Sequence, residues 1–121
     1  MALIKPQRSP DAAPARELER DCASLVISLN NPSAVTRRWA ARDLADCPGS
    51  SGALVARLGE ESDASVREVI LTTLTRLGDA AAVAGLVQCM RSDDAALRNE
   101  AIEAMKLLPD AVAPIMRDLL A

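Results

Sequence analysis

Cys22, Cys47 and Cys89 are the side chains of this sequence best suited to nucleophilic, redox or metal chemistry, and no histidine accompanies them. A serine or cysteine nucleophile usually takes its general base from an imidazole, and zinc and iron sites usually take nitrogen from one. The cysteines lie 25 and 42 residues apart, unlike any paired metal or redox motif. These features predict three reduced thiols, no catalytic residue, no metal site and no cofactor.

Binding chemistry remains. Arg37, Arg67 and Arg98 recur at intervals of 30 and 31 residues. The spacing would suit an anion-binding ladder, but a structural role is favoured. Each arginine follows a capping residue by one helical turn, where its guanidinium can bridge successive turns and its stem can cover apolar surface. Trp39 is the chain's one aromatic residue and is flanked by Arg38 and Arg42, the residue types enriched at interaction hot spots. Its counterparts one and two repeats on are Val69 and Glu100. Two readings therefore stand: Trp39 packs against the first helix, or it is a partly exposed anchor for a partner. In the same register Arg38 and Arg42 give way to Glu68 and Thr72, then to Asn99 and Glu103. One edge of a groove built from these positions is basic and the other acidic.

The elements that position these residues are helical. Of 121 residues, 23 are Ala and 16 Leu, with no Phe or Tyr, which favours helices and excludes a β-sandwich. Residues 1–14 contain Pro6, Pro10 and Pro14 and no apolar periodicity after Ile4, so a flexible tail is expected there, with one domain over 15–121. Within that domain Leu25-Val26-Ile27-Ser28-Leu29, Leu54-Val55-Ala56-Arg57-Leu58 and Leu86-Val87-Gln88-Cys89-Met90 superpose, and Ile115-Met116-Arg117-Asp118-Leu119 is a fourth copy. Each of the first three leads into a turn and an arginine followed by apolar residues at +3 and +7: Ala40 and Leu44, Ile70 and Leu74, Ala101 and Met105. The unit is a pair of short helices recurring about every 30 residues. First helices are expected over 15–30, 51–60, 80–91 and 111–121, and second helices over 34–47, 64–78 and 94–108. Asp63 and Asp94 precede their arginines by four residues, placing an acid one turn before a base, and Ser33 takes the acid's place in the first unit. The alignment puts Cys47 with Leu77 and Leu108, buried and inert. It puts Cys89 with Ser28 and Arg57, facing solvent as a candidate reactive thiol.

The segments Asp63-Ala64-Ser65-Val66-Arg67 with Leu74, Leu77 and Gly78-Asp79, and Ser92-Asp93-Asp94-Ala95-Ala96-Leu97-Arg98 with Ala101, resemble HEAT repeats. More narrowly they resemble the short HEAT-like units first associated with phycobilisome lyases. The first unit departs from the pattern, with Thr36 where Val66 and Leu97 sit. The resemblance implies an all-α fold, a right-handed α-solenoid of about three and a half helix-pair repeats with the second helices lining the concave side. Its motifs carry little information about function. The di-iron hydroxylase built from such repeats holds its metals through His-Glu pairs, and this chain has no histidine.

The formal net charge is −3, divided as +1 before residue 61 and −4 from there on, which disfavours nucleic acid as the partner. The N-terminal apolar stretch is too short for a signal peptide and no apolar run is long enough to span a bilayer, so a cytoplasmic location and no membrane partner are expected. The expected function is a non-catalytic protein-protein interaction module, a small scaffold or adaptor accessory to assembly or regulation of an enzyme. Contact is expected around Arg38, Trp39 and Arg42. The alternatives are an accessory or lyase-like protein that handles a tetrapyrrole, metal or other cofactor, and a homo-oligomeric element. The last would pair through the C-terminal edge around Met116 and Leu120.

Overall fold

Four of the described helices begin where the sequence supplies a side-chain oxygen for unpaired N–H groups, from Ser33, Asp63, Asp79 and Asp94. The computed structural model describes residues 15–108, with side-chain environments from Asp21 onward, and positions 114, 117 and 118. The expected tail and most of the fourth first helix lie outside the described residues. Among the described residues the α-helices are α1 Ala15–Ser28, α2 Ala34–Asp43, α3 Ser51–Leu58, α4 Ala64–Leu77, α5 Ala80–Met90 and α6 Ala95–Met105. No strand occurs among the described residues.

Asp63 accepts from the Ser65 and Val66 N–H groups at 2.9 and 3.2 Å, and Asp94 accepts from Ala96 and Leu97 at 3.0 and 3.2 Å. These acids therefore cap their helices, and their arginines reach elsewhere. Asp79 caps α5 through Ala82 N–H and also accepts from the Ser51 hydroxyl at 2.8 Å, which ties the start of α3 to the start of α5. Gly78 ends α4 in the left-handed conformation, φ 56°, donating to Leu74 O; a side chain there would be strained.

Two second-helix ends fall well short of expectation: α6 stops at Met105 rather than 108, and α2 stops earlier still. The second helix of the first unit does not run to residue 47: after Asp43 it tightens into a 3-10 turn, Leu44–Asp46. Pro48 disfavours the α conformation at Cys47, and the tightened turn brings Cys47 back against α1.

The helices stack in two layers. Helix α2 packs on α4 and α4 on α6, while α3 packs on α5 and each pair packs across the layers. The aligned positions form the core: Leu29, Leu44, Leu54, Leu58, Ile70, Leu74 and Leu86 are all buried. The central helix α4 supplies the bulky Ile70 and Leu71, and its neighbours supply Ala40 and Ala41 from α2 and Ala101 and Ala104 from α6. Large side chains opposite small ones let the three helices interlock. A buried bond from the Thr73 hydroxyl to Ala41 O, 2.9 Å, fixes α4 against α2.

The crossing of α3 and α5 is closer still. A Cβ on Gly85 would overlap Val55 Cγ2 and lie 3.1 and 3.2 Å from the remaining Val55 carbons that face it. Valine is held in one rotamer on a helix and cannot swing aside. Gly85→Ala, a favourable change in an open helix, is therefore expected to lose about 1 to 3 kcal/mol here through overpacking. Adding Val55→Ala should recover most of the loss. Urea unfolding of the parent and both variants measures both effects, and a Gly85→Ala midpoint equal to the parent's would show that the helices separate without cost.

Candidate functional site

The repeat arginines are held inside the inter-helix turns. Arg37 Nη1 donates to Asn31 O and Pro32 O at 2.9 and 3.0 Å, Arg67 Nη1 to Glu61 O and Ser62 O at 3.4 and 3.1 Å, and Arg98 Nη1 to Ser92 O at 2.9 Å. The other nitrogens of Arg37 and Arg67 reach forward. Arg37 grips the Glu61 carboxylate with Nε and Nη2 at 2.8 and 2.9 Å, and Arg67 reaches Glu100 at 3.3 and 3.4 Å. These groups are engaged within the fold, which leaves little of them for an external anion.

Glu61 is the residue that sequence reasoning missed. Its carboxylate is sealed from solvent, takes the Arg37 fork, accepts from Arg57 Nε at 3.1 Å and accepts from Asp63 N–H at 3.0 Å. Burial, the largest influence, pushes its pKa up. The Arg37 hydrogen bond, the Asp63 N–H and the charges of Arg37 and Arg57 outweigh burial and hold it below the ordinary carboxylate value. A signal was present in the alignment. Asn31, Glu61 and Ser92 share one position, and each accepts a hydrogen bond from the N–H of the capping residue two places on. A glutamate where the other units carry short neutral residues marks the difference. Glu100, the counterpart of Trp39 in the third unit, is the forward partner of Arg67.

The exposed surface lies on the second helices. Val35, Arg38, Trp39 and Arg42 are all exposed and follow one another at i, i+3, i+4 and i+7 along α2, a single face. Trp39 is 50% exposed, so it is not a core residue. The Arg42 guanidinium lies over its ring, 4.7 Å from the centroid, a cation–π contact. Between α4 and α6 runs an open groove of about 730 Å³. Glu68 and Thr72 from α4 and Asn99, Glu100 and Glu103 from α6 line it over an apolar floor that includes Leu71, Ala104 and Leu107. The structure thus gathers Glu68, Thr72, Asn99 and Glu103 in one groove and leaves Arg38, Trp39 and Arg42 on the neighbouring helix face.

The cysteines differ from expectation. Cys22 of α1 and Cys47 form a disulfide, with Cα atoms 5.8 Å apart, so two of the three are not reduced thiols. Cys89 is free but half-buried against the core. Burial pushes its thiol pKa up, opposite to the shift that activates a cysteine. Its counterparts in the other repeats, Ser28 and Arg57, are likewise half-buried, so the aligned position does not face solvent as expected in any of the three units. Among the described residues no three His, Cys, Asp or Glu side chains are grouped as metal ligands, and no described helix is long and apolar enough to cross a membrane.

Stacked helix pairs with aligned turns, interlocked cores and a groove between second helices define an α-solenoid repeat protein. The family model for HEAT repeats matches residues 22–106 and again 51–121, and the chain belongs to the HEAT-repeat family. No curated protein and no solved structure matches it. HEAT repeats generally mediate protein interactions and are typically non-catalytic.

Proposed function

We propose that the chain is a non-catalytic protein-interaction module, a small HEAT scaffold or adaptor that holds its partner on the outer face of the second helices. The observation that carries this reading is Trp39: the one aromatic side chain of the protein is half-exposed, stacked with Arg42 and beside an open groove. An indole that contributes little to the core is available as an anchor. The turn arginines are engaged within the fold, which argues against an anion site. The net charge of −3 argues against nucleic acid.

Trp39→Ala is expected to weaken partner affinity by more than about 2 kcal/mol, roughly thirtyfold. Folding stability should change by about 1 kcal/mol or less, because half of the ring already faces water. The test compares partners captured from the native host by the parent chain and by the variant, with thermal unfolding of both. Unaltered capture by Trp39→Ala would overturn this surface.

A cytoplasmic location belongs to the same proposal. The Cys22–Cys47 pair would there meet a reducing thiol pool. Trapping thiols in intact cells tests the location: a largely reduced pair would support the cytoplasm, and a fully oxidised pair, as in the structure, would assign the chain to an oxidising compartment.

A further inference from the structure

We infer that the exposed face of α2 docks into the α4–α6 groove of a second copy of this chain, a head-to-tail contact that rests on reading the second-helix surface as a protein-binding face. The face offers two apolar side chains, Val35 at 54% and Trp39 at 50% exposure, edged by the cations Arg38 and Arg42. The groove offers an apolar floor with the exposed Leu107 and a rim on which Glu68, Glu100 and Glu103 outnumber the one cation, Lys106. Glu103 is paired with Lys106 and Glu100 with Arg67, so Glu68 is the carboxylate most available to Arg38 and Arg42. Charge thus matches apolar contact at both ends, from residues of one sequence.

The two surfaces cannot meet within one molecule. Helix α2 packs on one side of α4 and α6 on the other, so the outward face of α2 has no path into a groove beyond α4. A two-fold dimer through α2 would set Arg38 and Arg42 against their own copies, and one through the groove would oppose glutamates. Only face-to-groove contact joins unlike charges. Such a contact is heterologous: each added copy leaves one free face and one free groove, so mass grows with concentration. Part of the attraction is between exposed charges, so salt weakens it.

Sedimentation equilibrium of the full chain over a wide concentration range tests this. The parent chain is expected to rise above its 12.8 kDa mass as concentration increases. The association constant should fall at least about tenfold between low and half-molar salt. Trp39→Ala, which breaks the face, and the pair Glu68→Lys with Glu103→Lys, which breaks the groove, are each expected to stay monomeric alone. Mixed, they should form a capped dimer and nothing larger, because one supplies an intact groove and the other an intact face. Circular dichroism verifies folding, and Arg38→Glu with Arg42→Glu provides a second face variant made only of exposed changes.

A parent chain that stays at one mass, association that ignores salt and both variants, or mixed variants that fail to pair would each overturn the head-to-tail contact. A parent that stays monomeric while Trp39→Ala still loses its captured partner would leave the interaction-module reading standing. Self-association together with undiminished capture would do the reverse.

Discussion

Glu61→Ala is expected to cost about 3 kcal/mol of folding stability, toward the low end of the range for breaking a buried ion pair. The carboxylate itself is sealed, but the Arg37 and Arg57 side chains remain 12% and 16% exposed. Its removal would strand two guanidinium groups at a mostly dry junction and leave the Asp63 N–H without its acceptor. The loss should propagate, because Glu61 joins elements far apart in the sequence: Arg37 lies on α2, Arg57 on α3, and Asp63 caps α4. Glu61→Gln keeps the shape and an acceptor but removes the charge, and should fall between the parent and the alanine variant. The pH dependence separates charge from shape. Glu61 and Asp63 both have folded pKa values held below the ordinary carboxylate range. For Asp63 the causes are the Ser65 hydroxyl and the Val66 N–H. A carboxyl group with a depressed folded pKa contributes stability above its unfolded value and loses it as the pH falls through the folded one. The urea midpoint of the parent should therefore fall as the pH drops through and below about 4, and Glu61→Gln should flatten that acid limb. A parallel shift of the whole curve would show that Glu61 acts through shape alone.

Repeating features of the fold were legible in the sequence, and singular ones were not. Leu25, Leu54 and Leu86, or Ala40, Ile70 and Ala101, report one another because the same packing problem is solved three times, and the HEAT resemblance follows from that redundancy. The caps at Asp63 and Asp94 were legible as helix starts. Their bonding was not, because a carboxylate one turn before an arginine can serve either the helix N–H groups or the ion pair, and spacing does not decide between them. Glu61 binds Arg37 from 24 residues away, and no periodic pattern carries a contact made once. Trp39 stayed ambiguous for the same reason: its register matches Val69, half-buried, and Glu100, an ion-pair partner. What decides its exposure is that no preceding repeat covers that side of α2 among the described residues. The groove was legible as a row of acidic counterparts to Arg38 and Arg42, and its apolar floor required the packing of α4 on α6.

Reducing the Cys22–Cys47 disulfide is expected to lower stability by about 3 kcal/mol and the melting temperature by on the order of 10 to 20 °C. The bond closes a loop with a sequence separation of 25 residues, and a crosslink of that length restricts the unfolded chain more than the folded one. It also joins elements with few other ties. Helix α1 packs on α2 and on the 3-10 turn, and Cys47, 4% exposed, is the point at which the chain doubles back from that turn. The pairing escaped the sequence reading because it depends on the broken end of α2: a helix continued through residue 47 would carry that side chain past α1. Thiol titration of the oxidised native chain should find one reactive group, Cys89, and find it slow, since that thiol is half-buried and its pKa raised. Denaturation should speed its labelling without raising the count. Cys22→Ala with Cys47→Ala should reproduce the loss caused by reductant and be insensitive to further reductant. The damage should also be local, with hydrogen exchange faster in α1 than in α4, whose Ile70 and Leu74 are buried at the centre of the stack. If reductant leaves the parent's melting temperature unchanged while thiol titration rises to three, the contacts of α1 with α2 hold it without the bond, and the chain-entropy account of this disulfide is wrong.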